Sequence, residues 1–136
     1  MFEVLEHTAD IGFRARAASL PELFENAAEA LASIAAEIED AAPRETYPLE
    51  AEGADLESLL VNWLSEVLFK LDGERLALRS FHVCEVAAGR AAGEARGEPR
   101  DPARHRAKLI VKGVTYHQLE IARAGDEWRC QVFLDV

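Results

Sequence analysis

Apolar residues recur along this chain at two spacings. From Ser19 to Glu39 they fall every three or four residues, so Leu20, Leu23, Phe24, Ala27, Leu31 and Ile34 share one helical face. Ser19-Leu20-Pro21-Glu22 supplies a capping box with proline in the first turn. A second helix is predicted over Asp55–Leu71. Asp55 caps it, a broad face of leucines surrounds Trp63, and Gly73 suits a left-handed residue just past its end. Trp63 reads as core. The rest alternates with period two or forms short β-rich runs. Strands are predicted at Phe2–Leu5, Ile11–Ala17, Thr46–Ala51, Leu76–Val86, Ala107–Val111, Thr115–Ala122 and Trp128–Leu134. In Ile11–Ala17 the apolar residues point one way and Arg14 and Arg16 the other. The order implies an α+β fold, a mostly antiparallel sheet with two helices packed on one face.

The length of 136 residues and an apolar share near half (49%) fit one domain over residues 1–136 with a real core. No run approaches a membrane span, and no signal peptide precedes Phe2, so a cytoplasmic protein without membrane contact is expected. Cys84 and Cys130 lie in strand-like stretches and read as buried thiols.

The formal charge of −10 argues against general nucleic-acid binding. One stretch departs from it. Residues 87–106 are rich in Gly, Ala, Pro and Arg. The span from Arg90 to Lys108 carries six basic and three acidic residues, a local +3 against −13 for the remainder. It reads as a solvated loop or frayed hairpin, or as a contact patch for RNA or an acidic surface.

Familiar catalytic motifs are absent: no phosphate loop, dinucleotide fingerprint, CxxC, HExxH or nucleophile elbow. Three polar signals stand out. His7-Thr8-Ala9-Asp10-Ile11-Gly12 places a His and an Asp at a junction of two strands, where a turn alone could account for them. Asp135-Val136 sets a side-chain carboxylate beside an α-carboxylate. Such a pair repels itself unless a cation, a basic side chain or a helix N-terminus neutralises it. Hard divalent cations take clustered oxygens of this kind, and Asp10 would join them if the first and last strands are neighbours. Lys112-Gly113-Val114-Thr115-Tyr116-His117 carries a glycine suggesting a bulge or bend between β-rich runs. His82 and His105 have no partner visible from spacing.

Five stretches in order resemble the archease family over nearly the whole chain. They are His7–Gly12, Asp55–Leu64, Gly97-Glu98-Pro99-Arg100-Asp101-Pro102 leading to His105, Lys112–His117 and the terminal Asp135-Val136. Gly113 stands where the family commonly has alanine, a change expected to alter backbone freedom more than chemistry. The resemblance implies a small α+β protein that is not itself an enzyme. It implies an activator of the GTP- and Mn-dependent RNA ligase of tRNA splicing and RNA repair. That ligase joins 2′,3′-cyclic-phosphate or 3′-phosphate ends to 5′-hydroxyl ends through a guanylylated histidine. The activator promotes guanylylation and repeated turnover, and meets tRNA or other RNA through the ligase. The resemblance also implies a divalent-metal site, Ca2+ in isolated form with Mn2+ or Mg2+ as alternatives, formed by Asp10, Asp135 and Val136. His7, Lys112, Thr115 and His117 are implied as ligase contacts or supports of that site. Two other readings compete: a stand-alone metal-dependent hydrolase of RNA ends, and an RNA-binding or chaperone-like adaptor using the Arg90–Lys108 stretch.

Overall fold

The computed structural model describes residues 1–6 and 10–136. Its strands are β1 (Phe2–Glu6), β2 (Asp10–Ala17), β3 (Glu45–Glu52), β4 (Leu76–Ala87), β5 (Arg90–Pro99), β6 (Gly113–Val114), β7 (Glu120–Ala124) and β8 (Glu127–Asp135). Two helices, α1 (Leu20–Ala35) and α2 (Leu56–Leu68), complete the α+β fold. The strands form two sheets, and every pairing is antiparallel. One sheet runs β1-β2-β8, with β6 and β7 sharing the far side of β8. The other runs β3-β5-β4. Helix α1 packs on β2 of the first sheet and β4 of the second, while α2 packs on β3 and reaches β6 and β7. One core therefore joins both sheets through the helices.

Local chemistry explains the helix ends. The Ser19 hydroxyl accepts from the Glu22 N–H at 3.4 Å, and Asp55 and Ser58 form a reciprocal capping box. Trp63 is fully buried, and its indole N–H donates 3.1 Å to the Phe24 carbonyl, tying α2 to α1. Helix α1 stops at Ala35, short of the predicted Glu39, and Ile38–Asp40 form a separate 3-10 turn. Residues from the far strap end it. Lys108 N–H donates to the Ala35 carbonyl, Glu37 N–H to Arg106, and the Lys108 ammonium to the Ser33 carbonyl. Ala107–Val111 is thus no strand; Ala107 makes one isolated bridge to Ala36. Thr115–Leu119 is likewise irregular, so the strand predicted over Thr115–Ala122 reduces to β7. After Leu68 the chain continues as a π-helical turn, Phe69–Gly73. Arg75 (φ 55), not Gly73, takes the left-handed conformation; a Cβ on Gly73 would lie 2.7 Å from the Phe69 ring.

The stretch read as a loop or frayed hairpin holds the central strand of the second sheet. Ala88 (φ 51) and Gly89 (φ 74) turn the chain from β4 into β5. Ala91 and Ala95 are fully buried. A Cβ at Gly93 or Gly97 would come within 2.2 Å of the His82 carbonyl oxygen or 2.1 Å of that of Ala77. Those contacts sit beside register shifts in β4, at Leu78/Ser80 and Val83/Glu85. The Gly/Ala composition is the signature of a strand pressed against bulges. Cys84, expected to be buried, is exposed. Cys130 is buried, and burial pushes its thiol up to about 12.

Candidate functional site

Register decides what meets what. Directly opposed residues of an antiparallel pair project from the same face. Asp10 pairs with Asp135, Gly12 with Phe133, Arg14 with Gln131 and Arg16 with Arg129. The intervening pairs, Ile11 with Leu134 and Phe13 with Val132, are buried under the helices. Asp10 and Asp135 therefore lie side by side on the sheet face turned away from the core. Among the described residues neither carboxylate makes an ion pair or side-chain hydrogen bond. Two like charges placed opposite one another repel, so this end of the sheet suits a cation.

The surrounding residues shape that end. Gly113 pairs with Asp135 from the other side, in register and without the expected bulge. Lys112 donates its N–H 2.7 Å to the Asp135 carbonyl, and its side chain is exposed. Thr115 donates both its N–H (3.1 Å) and its hydroxyl (2.9 Å) to the Phe133 carbonyl. The same hydroxyl accepts the His117 N–H at 3.3 Å. The His117 ring stands edge-on to Phe133, centroids 5.9 Å apart. Val136 is half-buried and packs against the core. Lys112, Thr115 and His117 thus gather around the end of β8 with Asp10 and Asp135, while His7 lies outside the described residues. Among the described residues no group of three His, Cys, Asp or Glu side chains is arranged for a metal. The two carboxylates offer hard oxygen donors and leave further positions to other oxygens.

Sequence reasoning missed two parts of the arrangement. Phe133 is buried on the outer face because its ring lies over Gly12, where a Cβ would come 2.7 Å from two ring carbons. Gly12 therefore seats the ring that His117 abuts. The second part is a buried carboxylate at the far end of β5. Glu98 is 3% exposed. Its Oε2 accepts from the Ala42 N–H (2.9 Å), His105 Nε2 (2.8 Å) and Arg104, and Arg44 lies 3.6 Å from Oε1. Asp101 N–H donates 2.7 Å to His105 Nδ1, which assigns the ring proton to Nε2. The Ala42 N–H first, then His105 and Arg104, hold the Glu98 carboxyl down at about 2. Part of the basic stretch is similarly spent: Arg90 pairs with Glu50 and Glu85, and Arg100 donates to the Leu71 carbonyl.

Two antiparallel sheets joined by two helices, with an acidic pair where β2 meets β8, define a small α+β protein built around its first and last long strands. Across residues 2–136 the chain matches the model of the Archease protein family (MTH1598/TM1083), and it belongs to that family. It is 40% identical to a protein archease of Pyrococcus abyssi, with 99% of this chain and 98% of that protein covered. It is 37% identical to one from Methanosarcina acetivorans, covering 99% and 95%. The solution structure of Methanobacterium thermoautotrophicum protein 1598 superimposes with a TM-score of 0.84 at 31% identity, covering 99% of this chain and 98% of that one. A Thermotoga maritima crystal structure, described as an archease and possible chaperone, shares the fold (TM-score 0.69, 20% identity, coverage 97% and 94%). No helix among the described residues is long and apolar enough to cross a membrane.

Proposed function

We propose that this protein is a metal-binding cofactor of the GTP- and Mn-dependent RNA ligase of tRNA splicing and RNA repair, promoting its guanylylation and multiple turnover. Family membership gives the reading its context. The observation that carries it is the Asp10–Asp135 pair, two carboxylates opposed in register without a cationic partner among the described residues. Asp10 and Asp135 would hold a divalent ion, with the Val136 carboxylate as third donor. The donor set is all oxygen, which fits Ca2+, Mg2+ or Mn2+ rather than a thiolate-seeking metal. The bound ion would supply a concentrated positive charge at the protein surface. The chain's own residues do the rest. Lys112 and Thr115 fix the backbone of β8, Gly12 seats Phe133, and His117 packs against that ring at the margin a ligase would meet. Such a partner shifts the ligase only through tighter binding to its guanylylation-competent state.

The test is RNA ligation by the cognate ligase with GTP and manganese, under single and multiple turnover. It compares no added protein, wild type, Asp10→Ala and Asp135→Ala. Wild type should stimulate, and both variants should lose that stimulation while keeping their circular-dichroism spectra. No stimulation by wild type overturns the reading. Turnover of RNA ends by the isolated protein would favour a hydrolase instead.

A further inference from the structure

The acidic pair occupies one end of the outer face of the first sheet, and the other end is built differently. There the face sinks into a hollow of about 490 Å³ spanning β1, β2, β8 and β7. Arg14, Arg16 and Arg129 line it, and Ala122 and Ala124 open its floor on the β7 side. Arg16 and Arg129 are directly opposed across β2 and β8, an arrangement of like charges that costs stability. Glu127 lies between them, 2.7 Å from Arg129 Nε and 3.9 Å from Arg16 Nε.

What these guanidinium groups spend is informative. Arg14 is held through Nε by Gln131 (3.0 Å), and Arg129 through Nε by Glu127. Among the described residues the terminal nitrogens of both make no hydrogen bond, while Arg16 donates one NH2 group 3.4 Å to the Met1 sulfur and keeps the other. Arg90, Arg104 and Arg79 spend terminal nitrogens on Glu50 and Glu85, on Glu98 and on the Ile38 carbonyl, whereas Arg123, outside the hollow, is also held through Nε, by the Gly125 carbonyl. An arginine steadied at Nε presents its two remaining NH2 groups as a fork for an oxyanion. Glu3 and Glu120 line the hollow toward β1 and β7, so the positive row runs along its middle, over β2 and β8.

We infer that this hollow binds the phosphodiester backbone of single-stranded RNA directly. Arg14 and Arg16 lie two residues apart on one strand, roughly 6.6 Å, which is close to the step between phosphates in an extended strand. Arg129, opposite Arg16, closes on the same phosphate. An extended peptide would dock by main-chain pairing at a sheet edge. The middle of this face offers no unpaired backbone, because β2 is flanked by β1 and β8, and β8 by β2 and β7. With only side-chain forks on offer, binding is to the backbone and independent of base sequence. The choice of RNA rests on the function proposed above; the anion-binding hollow does not.

The test uses the whole protein and a fluorescein-labelled oligouridylate of about twelve nucleotides, followed by anisotropy. With two phosphates neutralised, log K should fall with log[salt] at a slope of about −1.4, so binding weakens roughly sevenfold between 50 and 200 mM KCl. Arg16→Gln with Arg129→Gln should abolish binding, with the thermal midpoint unchanged or raised. Arg129→Lys, which keeps charge but loses the fork, should weaken it. Arg96→Gln with Arg106→Gln, and Asp135→Asn, should leave it intact; retention in Asp135→Asn while ligase stimulation is lost would separate this hollow from the acidic site. The inference is overturned by no measurable binding at 50 mM KCl, by equal loss in the Arg96/Arg106 control, or by equal or tighter binding of a polyglutamate peptide.

Discussion

Glu98 and the Asp10–Asp135 pair are carboxylates in opposite circumstances. Glu98 is buried, and the chain surrounds it with a backbone N–H, a histidine and two arginines. Asp10 and Asp135 are at the surface, face one another, and receive nothing of the kind from the described residues. A buried charge that keeps its ionised form must be fully partnered. A surface pair of like charges repels itself and gains nothing from the fold, so under the function proposed above it is the place where a cation would act. The contrast separates an acid that holds the chain together from two acids the fold leaves unpartnered among the described residues.

The comparison breaks most forcefully at Glu98. Glu98→Ala leaves Arg104, His105 and the Ala42 N–H without their shared acceptor in a buried place, and its thermal midpoint should fall further than that of any variant below. The pH dependence has a definite sign. The folded carboxyl titrates at about 2, below the ordinary glutamate value of about 4.3. Its contribution is therefore complete above that ordinary value and is lost as pH falls toward 2. Wild type should lose stability across that window in acid denaturation monitored by circular dichroism, and Glu98→Gln should lose less over the same range.

The acidic pair should respond to ions instead. Calcium at about a hundred times its dissociation constant should stabilise wild type by about 2.7 kcal/mol in a thermal melt, reversibly with chelator. Asp135→Asn should abolish that gain and leave the ion-free protein equal to or slightly above wild type, since it removes a repulsion. A wild-type melt indifferent to calcium, magnesium and manganese would erase the distinction between the two sites. A smaller effect is expected at Gly12→Ala. The added methyl meets the Phe133 ring at 2.7 Å and the Val132 carbonyl oxygen at 3.0 Å, so about 1–3 kcal/mol should be lost to overpacking in a denaturant titration.

Periodicity made the helices and the long outer strands legible, because each buries one regular face. Asp10 and Asp135 were legible as acids at strand ends, but their register was not, since pairing of the first and last long strands is a long-range property. The largest misreading fell on residues 87–106. Gly93 and Gly97 look like loop residues until β4 presses its bulged carbonyls against them, and Ala91 and Ala95 look unremarkable until the core closes over them. The Glu98–His105 contact was hidden for a related reason. The six residues between them pass through Pro99 and Pro102 and turn back, so spacing gave no helical or strand relation to read. The strap that follows likewise ends α1 from outside, which no feature of α1 itself announces.

The smallest effect tests the departure at Gly113. It pairs with Asp135 at ordinary φ, and a Cβ built there meets nothing within 4 Å. Neither strain nor crowding therefore requires glycine at this position. Gly113→Ala removes freedom from the unfolded chain without cost to the folded one, and should stabilise the protein by about 0.4–1 kcal/mol in a denaturant titration with unchanged slope. Gly12 and Gly113 flank the acidic pair on opposite sides of β8, so the two alanine variants should move stability in opposite directions. If Gly113→Ala destabilises instead, this edge of β8 is tighter than its backbone geometry implies, and the open approach to Asp135 would have to be abandoned.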